Sequence, residues 1–311
     1  MILKISLFLA IVILCVIPLY ATTPPSAFPS GSLVTVREGT GLYTLAEKLK
    51  QDRVIRSPFL FRMAAVVLGG ERDMKAGQYL MPHPQNVFTL AWRVFHGDYG
   101  IEHIKLTIPE GFTVMKISAL FDERFVLFNH ADFMKNAPEG YLFPDTYFVP
   151  IIATASSIIK LLNDNFTRKI SSVAREIDNS RHTLEEIITM ASIIEREAKY
   201  QEDRTTISDI LWKRIELDIP LQVDASFVYI NGKTTKDLTL DDLKIDSPYN
   251  TYLYKGMPPT PISNPGLPSI VAALNPTTTP YFYFLTGSDG TMHYSRTFDE
   301  HVAKKHKYIT R

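Results

Sequence analysis

The hydrophobic pattern opens with a long apolar run and then changes to a body of mixed helices and strands. From Ile5 to Tyr20 no residue is charged, and most are Ile, Leu, Val or Phe. The run is slightly short for a helical bilayer span of ~20 residues, but its neighbours can extend it. Lys4 precedes the run, and lysine favours the cytoplasmic side of a membrane. We therefore expect a single-pass transmembrane anchor over residues 1–21, with the N-terminus inside and the body on the extracytoplasmic side.

A cleaved signal peptide is the alternative interpretation of the same segment. Positions 19–21 offer only a poor cleavage site, because small residues are needed before the cut. Residues 22–32 contain three prolines and are predicted to form an extended linker. The only cysteine, Cys15, lies in the apolar run. The body therefore has neither a disulfide framework nor a thiolate metal site.

Two segments of the body share a short apolar strand, a Glu-Gly turn and an amphipathic helix. VREGTGLYTLAEKLK begins at Val36, and IPEGFTVMKISALFD begins at Ile108. Glycine suits the tight corner between strand and helix. The matching positions follow helical spacing, with Leu42, Leu45, Ala46 and Leu49 in the first segment and Val114, Ile117, Ser118 and Phe121 in the second. The pattern is similar to a LysM unit, which would bind cell wall; a packing scaffold is the alternative.

Further periodicity predicts the remaining elements and an α+β fold class. A small LysM-like α+β unit is expected over residues 33–103 and a larger α+β domain over residues 104–311. The segment from Phe125 to Pro150 is loop-rich and aromatic, with prolines that oppose a long helix. The other predicted elements are a helix over 88–95 ending near Gly97, a strand over 103–108, a helical segment over 153–177, helices over 183–200 and 204–217, and apolar segments over 270–274 and 281–285.

Glu195 lies in the middle of the apolar stripe of the helix that begins at Thr183. On a helical wheel of ~100° per residue, three apolar residues fall within ~40° of it; they are Leu184, Ile188 and Ala191. Glu186 and Glu197 fall on the opposite face, where we expect solvated charges. A carboxylate in an apolar setting is costly unless it pairs or takes up a proton, and a protonated carboxyl suits a general acid. Pairing with a neighbouring arginine is the alternative.

Several motifs resemble the MltG/YceG-like family of endolytic murein transglycosylases. ASIIEREA at 191–198 is similar to the family's signature. The other motifs agree in the same order: EGYLFPDTY from Glu139, LQVDASFVY from Leu221, YNTYLYKGMPPTPISNPG from Tyr249, ALNPTTTPYFYF from Ala273 and GTMHYSRTFDEH from Gly290. The resemblance covers essentially the whole chain. It departs at Val302, where the family usually has asparagine after the histidine.

The resemblance implies a YceG-like catalytic domain over residues 104–311. Such enzymes cleave the bond between N-acetylmuramic acid and N-acetylglucosamine (MurNAc-GlcNAc) inside peptidoglycan strands, without water. The C6 hydroxyl of the muramic acid attacks and leaves a 1,6-anhydro end, which would terminate nascent strands. Glu195 would protonate the leaving oxygen and then accept the proton of the sugar hydroxyl. An ordinary glycosidase needs a second carboxylate, whereas here the substrate supplies the nucleophile.

The resemblance also places polar and aromatic side chains around the cleft as substrate-binding residues. Aromatic rings suit sugar faces because both are amphipathic plates. The candidates are Glu139, Tyr141, Phe143, Asp145, Gln222, Asp224, Tyr249, Asn250 and Tyr252. Packing is the alternative for Tyr249 and Tyr252, and a turn is the alternative for Asn250.

The expected partners are peptidoglycan glycan strands, the cytoplasmic membrane and peptidoglycan synthases. No cofactor is expected, and His293 and His301 lack the compact ligand cluster of a metal site. The chain has 33 acidic and 33 basic residues, which argues against nucleic acid as the main partner. Two rival functions stay open. One is a non-catalytic wall-binding scaffold, and the other is a water-using muramidase with Asp224 as its second carboxylate.

Overall fold

The computed structural model describes residues 19–68 and 74–309. Within these residues helices and strands are mixed, so the predicted α+β class is confirmed. The chain divides into two compact units between Glu102 and His103. The predicted anchor over residues 1–21 lies almost entirely outside the described residues. Across residues 19–68 and 74–309, none of the helices combines the length and the apolar character that a membrane span requires.

The first unit pairs two strands and covers them with helices. Its elements are β1 Ser32–Val36, α1 Leu42–Gln51, α2 Pro58–Val67, β2 Gly77–Met81 and α3 Val87–His96. The strands are antiparallel, with Val34 opposite Tyr79, and both residues are buried. All four apolar positions predicted for the first helix are buried on α1. Gly97 ends α3 in the left-handed conformation with φ +69°, which glycine adopts without strain.

The second unit carries the predicted catalytic region. Its elements are β3 His103–Thr107, α4 Val114–Asp122, α5 His130–Asn136, β4 Thr146–Pro150, α6 Ala155–Ile170, α7 Ala174–Asp178, α8 Leu184–Glu197, α9 Gln201–Glu216, α10 Phe227–Ile230, α11 Leu267–Leu274, β5 Tyr283–Thr286, β6 Met292–Ser295 and α12 Phe298–Tyr308. Short 3₁₀ turns lie at Ser171–Val173, Asp224–Ser226 and Asp242–Lys244.

Helix α8 is the centre of this unit and packs against α9 and α11. Ile188 and Ala191 of its apolar stripe are fully buried, and Leu184 at the start of the helix is half-buried. The helix begins as predicted, because the Thr183 hydroxyl accepts from the Glu186 N–H while the Glu186 carboxylate accepts from the Thr183 N–H. This capping box fixes the start of α8. The far end of α8 is thereby placed at the cavity described below.

The segment from Phe125 to Pro150, predicted to be mostly loop, contains one helix and one strand. Asn129 caps α5 through its side-chain oxygen, which accepts from the Asp132 N–H at 2.9 Å. β4 pairs antiparallel with β3, with Thr146 opposite Thr107. The strand ends at Pro150, in keeping with the absence of an N–H on proline. The partner strand lies about forty positions earlier, so local sequence could not identify this pairing.

Candidate active site

Helix α8 ends at a cavity of about 620 Å³ in the second unit. Two carboxylates line it, Glu197 and Asp224. The basic side chains of its wall are Arg196, Arg214, Lys236 and Lys305, and the other lining residues are Gln222, Thr235, Tyr252, Tyr283, Phe284, Leu285, Thr286, Phe298, His301, Val302 and Ile309. We call this space the Glu197 cavity. Its mixture of aromatic and polar side chains suits a carbohydrate.

The Glu197 carboxyl is the most perturbed acidic group of this cavity. Burial raises its pKa to about 7, and the negative charge of Asp224 adds to the effect. A hydrogen bond from the Ala225 N–H and the charge of Arg196 oppose the shift without cancelling it. A carboxyl with such a pKa holds a proton near neutral pH and can still release it.

The prediction that Glu197 lies on a solvated helix face is wrong. The residue is only partly exposed, and the loop that carries Asp224 and Ala225 approaches the face of α8 opposite the apolar stripe. A helical wheel shows which face is apolar, but it does not show whether another segment covers the polar face. Glu197 is therefore a functional candidate that the sequence pattern missed.

Asp224 and Gln222, both predicted to bind substrate, are held in the same cavity by neighbouring side chains. The Tyr252 hydroxyl donates to Asp224 Oδ1 at 2.6 Å. Arg214 Nη2 donates to Gln222 Oε1 at 3.0 Å, and the Gln222 N–H donates to the Thr251 carbonyl at 3.0 Å. Gln222 has φ +54°, a strained conformation for a non-glycine residue that often marks a functional site. The structure thus brings together Glu197, Asp224, Gln222 and Tyr252.

Glu195 has a different setting, although its predicted burial is confirmed. Its side chain is 6% exposed, and its Oε1 lies 3.5 Å from Arg204 Nη2. Its Oε2 accepts from the Gly266 N–H at 3.0 Å. Glu195 is not among the residues that line the Glu197 cavity. The carboxylate is therefore engaged in internal contacts, which matches the alternative of pairing with an arginine.

Glu110 extends these internal contacts. A Cβ added to Gly266 would lie 1.9 Å from Glu110 Oε1, so only glycine allows this carboxylate to pack there. Burial raises the pKa of Glu110, the charge of Glu195 adds to the shift, and Arg204 opposes it. These contacts join α8 through Glu195, α9 through Arg204, the turn before α4 through Glu110 and the loop before α11 through Gly266. They have the character of a structural charge network.

A second perturbed carboxyl, Glu139, lies in a separate cluster. Asn264 Nδ2 donates to its Oε1 at 2.6 Å, the Val114 N–H donates to its Oε2 at 2.8 Å, and the Tyr229 hydroxyl also donates to Oε2. Burial nevertheless raises the pKa of Glu139 to about 7. The Tyr249 ring stacks on Tyr229 at 5.1 Å between centroids. Glu139 and Tyr249, two predicted contacts, thus lie in one cluster.

Asn264 is the residue that organises this second cluster. Its Nδ2 also donates to the Phe112 carbonyl at 2.9 Å, and its Oδ1 accepts from the Leu142 N–H at 2.9 Å. Asn264, Tyr229 and Glu110 were not singled out as candidates. Each nevertheless lies inside a segment quoted above, so the motifs located these residues without indicating their roles.

Three of the predicted substrate contacts pack against α6. The ring of Tyr141 meets Phe166 edge-on at 5.0 Å, and Phe143 is 5% exposed. Asp145 Oδ2 lies 3.4 Å from Lys169 Nζ. Burial alone would raise the pKa of Asp145, but hydrogen bonds, the first from the Thr146 N–H, and the Lys169 charge lower it. Each of these side chains therefore has a contact inside the protein.

Asn250 is fully buried and holds a turn. Its Nδ2 donates to the Leu243 carbonyl at 3.0 Å and to the Ile245 carbonyl at 2.8 Å. Its Oδ1 accepts from the Tyr252 N–H at 3.0 Å. These contacts correspond to the turn alternative. Through Tyr252, the turn also supports the wall of the Glu197 cavity.

Known proteins resemble this chain over most of its length. The profile of the YceG-like family matches residues 34–307. An endolytic murein transglycosylase of Bacillus subtilis is 30% identical over 89% of this chain and 84% of its own length. An endolytic murein transglycosylase of Streptococcus pneumoniae is 26% identical over 86% of this chain, which spans 56% of that longer protein. A crystal structure of a yceG-like protein from Listeria monocytogenes aligns with a TM-score of 0.61 and 29% identity, covering 89% of this chain and all of that one.

Proposed function

The chain belongs to the YceG-like family, and from this premise we propose that it is an endolytic murein transglycosylase. It cleaves the MurNAc-GlcNAc bond inside peptidoglycan strands, leaves 1,6-anhydro-MurNAc ends and thereby terminates nascent strands. The activity named for the Bacillus subtilis relative supports this proposal, because the similarity extends over most of both chains. The matched region covers the second unit, which contains the Glu197 cavity, except for its last four residues.

Glu197 is the proposed catalytic acid and base. One observation carries this assignment, namely a carboxyl with a pKa of about 7 in a cavity that it shares with Asp224. Protonated Glu197 donates its proton to the glycosidic oxygen as the bond to C1 breaks. The resulting carboxylate accepts the proton of the C6 hydroxyl while the C6 oxygen bonds to C1. The proton is returned to Glu197, and no water is consumed.

The sequence prediction gave this role to Glu195, which remains the alternative assignment. Glu195 is held between Arg204 and the Gly266 N–H, so both of its carboxyl oxygens already have partners inside the protein. The two carboxyls belong to one motif and are two residues apart, so resemblance alone does not separate them. Their different surroundings favour Glu197.

Asp224 is proposed to stabilise the positive charge that develops on the sugar ring. Tyr252 holds its carboxylate by a 2.6 Å hydrogen bond, which reduces the reorganisation needed during reaction. Gln222, Asp224 and Tyr252 are the substrate contacts that this cavity supports most directly. Glu139 and Tyr249 are proposed to contact a more distant part of the strand.

A water-using muramidase is the second candidate, because Asp224 gives the cavity the second carboxylate that hydrolysis requires. Digestion of defined glycan strands, followed by mass analysis of the fragments, tests both functions. Anhydro ends are expected. Reducing ends would replace the transglycosylase with the muramidase, and intact strands would favour the wall-binding scaffold.

Residues 1–21 are proposed to anchor the chain in the cytoplasmic membrane, residues 22–32 to act as a linker, and residues 33–103 to form a LysM-like wall-binding unit. The uncharged run after Lys4 supports the anchor. A cavity of about 540 Å³ at the Glu38-Gly39 turn, with Tyr99 on its wall, supports wall binding. A reporter fused after Arg311 should be active only outside the cytoplasm, beside the proposed synthase partners. Activity inside would refute this orientation.

A further inference from the structure

An apolar groove runs across the surface of the first unit, between α2 and α3. It has a volume of about 570 Å³. On the α2 side Val67 is 83% and Met63 is 51% exposed, and on the α3 side Phe88 is 50% and Trp92 is 48% exposed. Every described residue that lines the groove is apolar except Thr89. Soluble proteins rarely expose such a concentration of large apolar side chains unless the surface binds something.

The chemistry of the groove fits the boundary between headgroups and acyl chains. Tryptophan prefers this boundary because its ring is apolar and its N–H is polar. Amphipathic surfaces that enter this layer carry large apolar side chains such as Trp, Phe and Leu. Helix α2 carries further exposed apolar side chains beside the groove, since Phe59 is 61% and Val66 is 67% exposed.

A contact at the start of α2 links this surface to the N-terminal apolar run. The Arg56 guanidinium lies 4.2 Å from the centroid of the Tyr20 ring, and its Nε donates to the Pro24 carbonyl at 3.2 Å. Tyr20 is the last residue of the apolar run defined above, and Arg56 lies two positions before α2. A ten-residue helix is about 15 Å long. Helix α2 therefore begins next to the end of the apolar run, and Val67 lies about one helix length of ~15 Å beyond that start.

We propose that this groove docks on the outer surface of the cytoplasmic membrane, with Val67 and Trp92 entering the headgroup region. The inference rests on the proposed anchor, which places the end of the apolar run at the bilayer. A single anchor does not by itself fix how the first unit is oriented toward the bilayer. A second contact through the groove fixes its orientation and holds it at the surface from which nascent strands emerge.

Intrinsic fluorescence tests this proposal, because the chain has only two tryptophans and Trp212 is buried in the second unit with 3% exposure. The full chain is reconstituted into vesicles of phosphatidylethanolamine and phosphatidylglycerol, with or without phospholipids brominated near the headgroup. The emission of Trp92 is the difference between the wild type and Trp92→Phe. We expect brominated lipid to quench this difference by about half or more, because interfacial side chains lie within reach of the bromines.

Two exposed positions supply a matched pair of variants. Val67→Asp places a charge in the groove and should reduce the quenching of Trp92, since a charge resists entry into the bilayer. Val126→Asp, at a residue of the second unit that is 79% exposed, should leave the quenching unchanged. Both residues are so exposed that neither variant should disturb the fold.

Flotation of the vesicles distinguishes the possible failures. A chain that does not float with the vesicles would overturn both the anchor and the docking surface. A chain that floats while Trp92 is quenched by aqueous acrylamide and not by brominated lipid would overturn the docking surface alone. Protection of Trp92 from both quenchers would mean that protein fills the groove, either a second copy or the chain's own N-terminal segment, and would also overturn the proposal.

Discussion

Replacement of Glu197 by glutamine separates the proposed catalytic carboxyl from its structural neighbour. The substitution keeps the shape and removes the titrating proton. Glu197 has a pKa of about 7 in the folded protein against an ordinary value of 4.5. The stability that protonated Glu197 contributes is therefore complete below pH 4.5 and is lost as the pH rises through about 7. At about 1.4 kcal/mol per pKa unit, the loss amounts to about 3 kcal/mol.

Glu197→Gln should not show this loss, because glutamine stays neutral. Chemical denaturation is expected to find the variant equal to the wild type near pH 4 and more stable at pH 8. Loss of general acid catalysis costs about 10²–10⁴-fold, and one carboxyl serving both proton transfers places the loss at the upper end or beyond. In the wild type, kcat/KM should fall as the pH rises above about 7, since the acid must be protonated.

Glu195→Gln is the matched control, two residues away in the same helix. It removes the charge that faces Arg204 at 3.5 Å in a buried position. Leaving a buried group without its partner costs about 1–3 kcal/mol. This variant should lose stability at pH 7 and keep most of its activity per folded molecule. A stable, folded Glu195→Gln that cannot cleave, together with an active Glu197→Gln, would return the catalytic role to Glu195 and refute the reasoning.

Further substitutions test the surroundings of the two perturbed carboxyls. Tyr252→Phe removes the hydrogen bond that holds Asp224. It should lower kcat by about ten-fold or more with little change in KM, because a hydrogen bond to a charged group contributes about 1.5–3 kcal/mol. A kcat equal to that of the wild type in steady-state assays would exclude a positioning role for Tyr252. Asn264→Ala leaves a buried N–H and Glu139 without their partner and should lower the free energy of unfolding by about 3 kcal/mol, measured by urea titration. Glu139→Gln should flatten the loss of stability between pH 4.5 and about 7, since a raised carboxyl pKa destabilises the fold as pH rises; an unchanged pH profile would contradict the assigned protonation.

Local periodicity in the sequence was sufficient to predict the buried positions of elements that pack one face against a single hydrophobic core. The four predicted core positions of α4, three apolar residues and Ser118, are buried, and α8 begins directly after Thr183 as predicted. The same reasoning was insufficient for β4, whose partner lies about forty positions earlier in the chain. Pairing between distant strands depends on tertiary contacts that no short window of sequence contains.

In the candidate site, too, the sequence located some residues but did not show what covers them. The motifs that contain Gln222, Asp224 and Tyr252 were recognised in the sequence, and the structure places these residues in one cavity. The wheel correctly buried Glu195 but gave no information about the loop that covers Glu197. That loop follows Glu197 by about 25 positions in the chain. The Ala225 N–H lowers the pKa of Glu197 and the Asp224 carboxylate raises it. Burial by a distant segment was the missing information.

The spacing of the two glutamates also determines how mutations in this motif should be interpreted. Glu195 binds the Gly266 N–H and Arg204 on one face of α8, while Glu197 lies on the cavity side at the end of the same helix. A change at Glu195 that shifts the end of α8 would move Glu197 and reduce activity, because displacements of about 1 Å can cost about 100-fold in rate. Loss of activity alone therefore does not identify the catalytic residue. The two proposed roles are distinguished by stability, since a structural carboxylate at Glu195 should be needed for the fold, whereas a catalytic carboxyl at Glu197 should oppose folding above neutral pH.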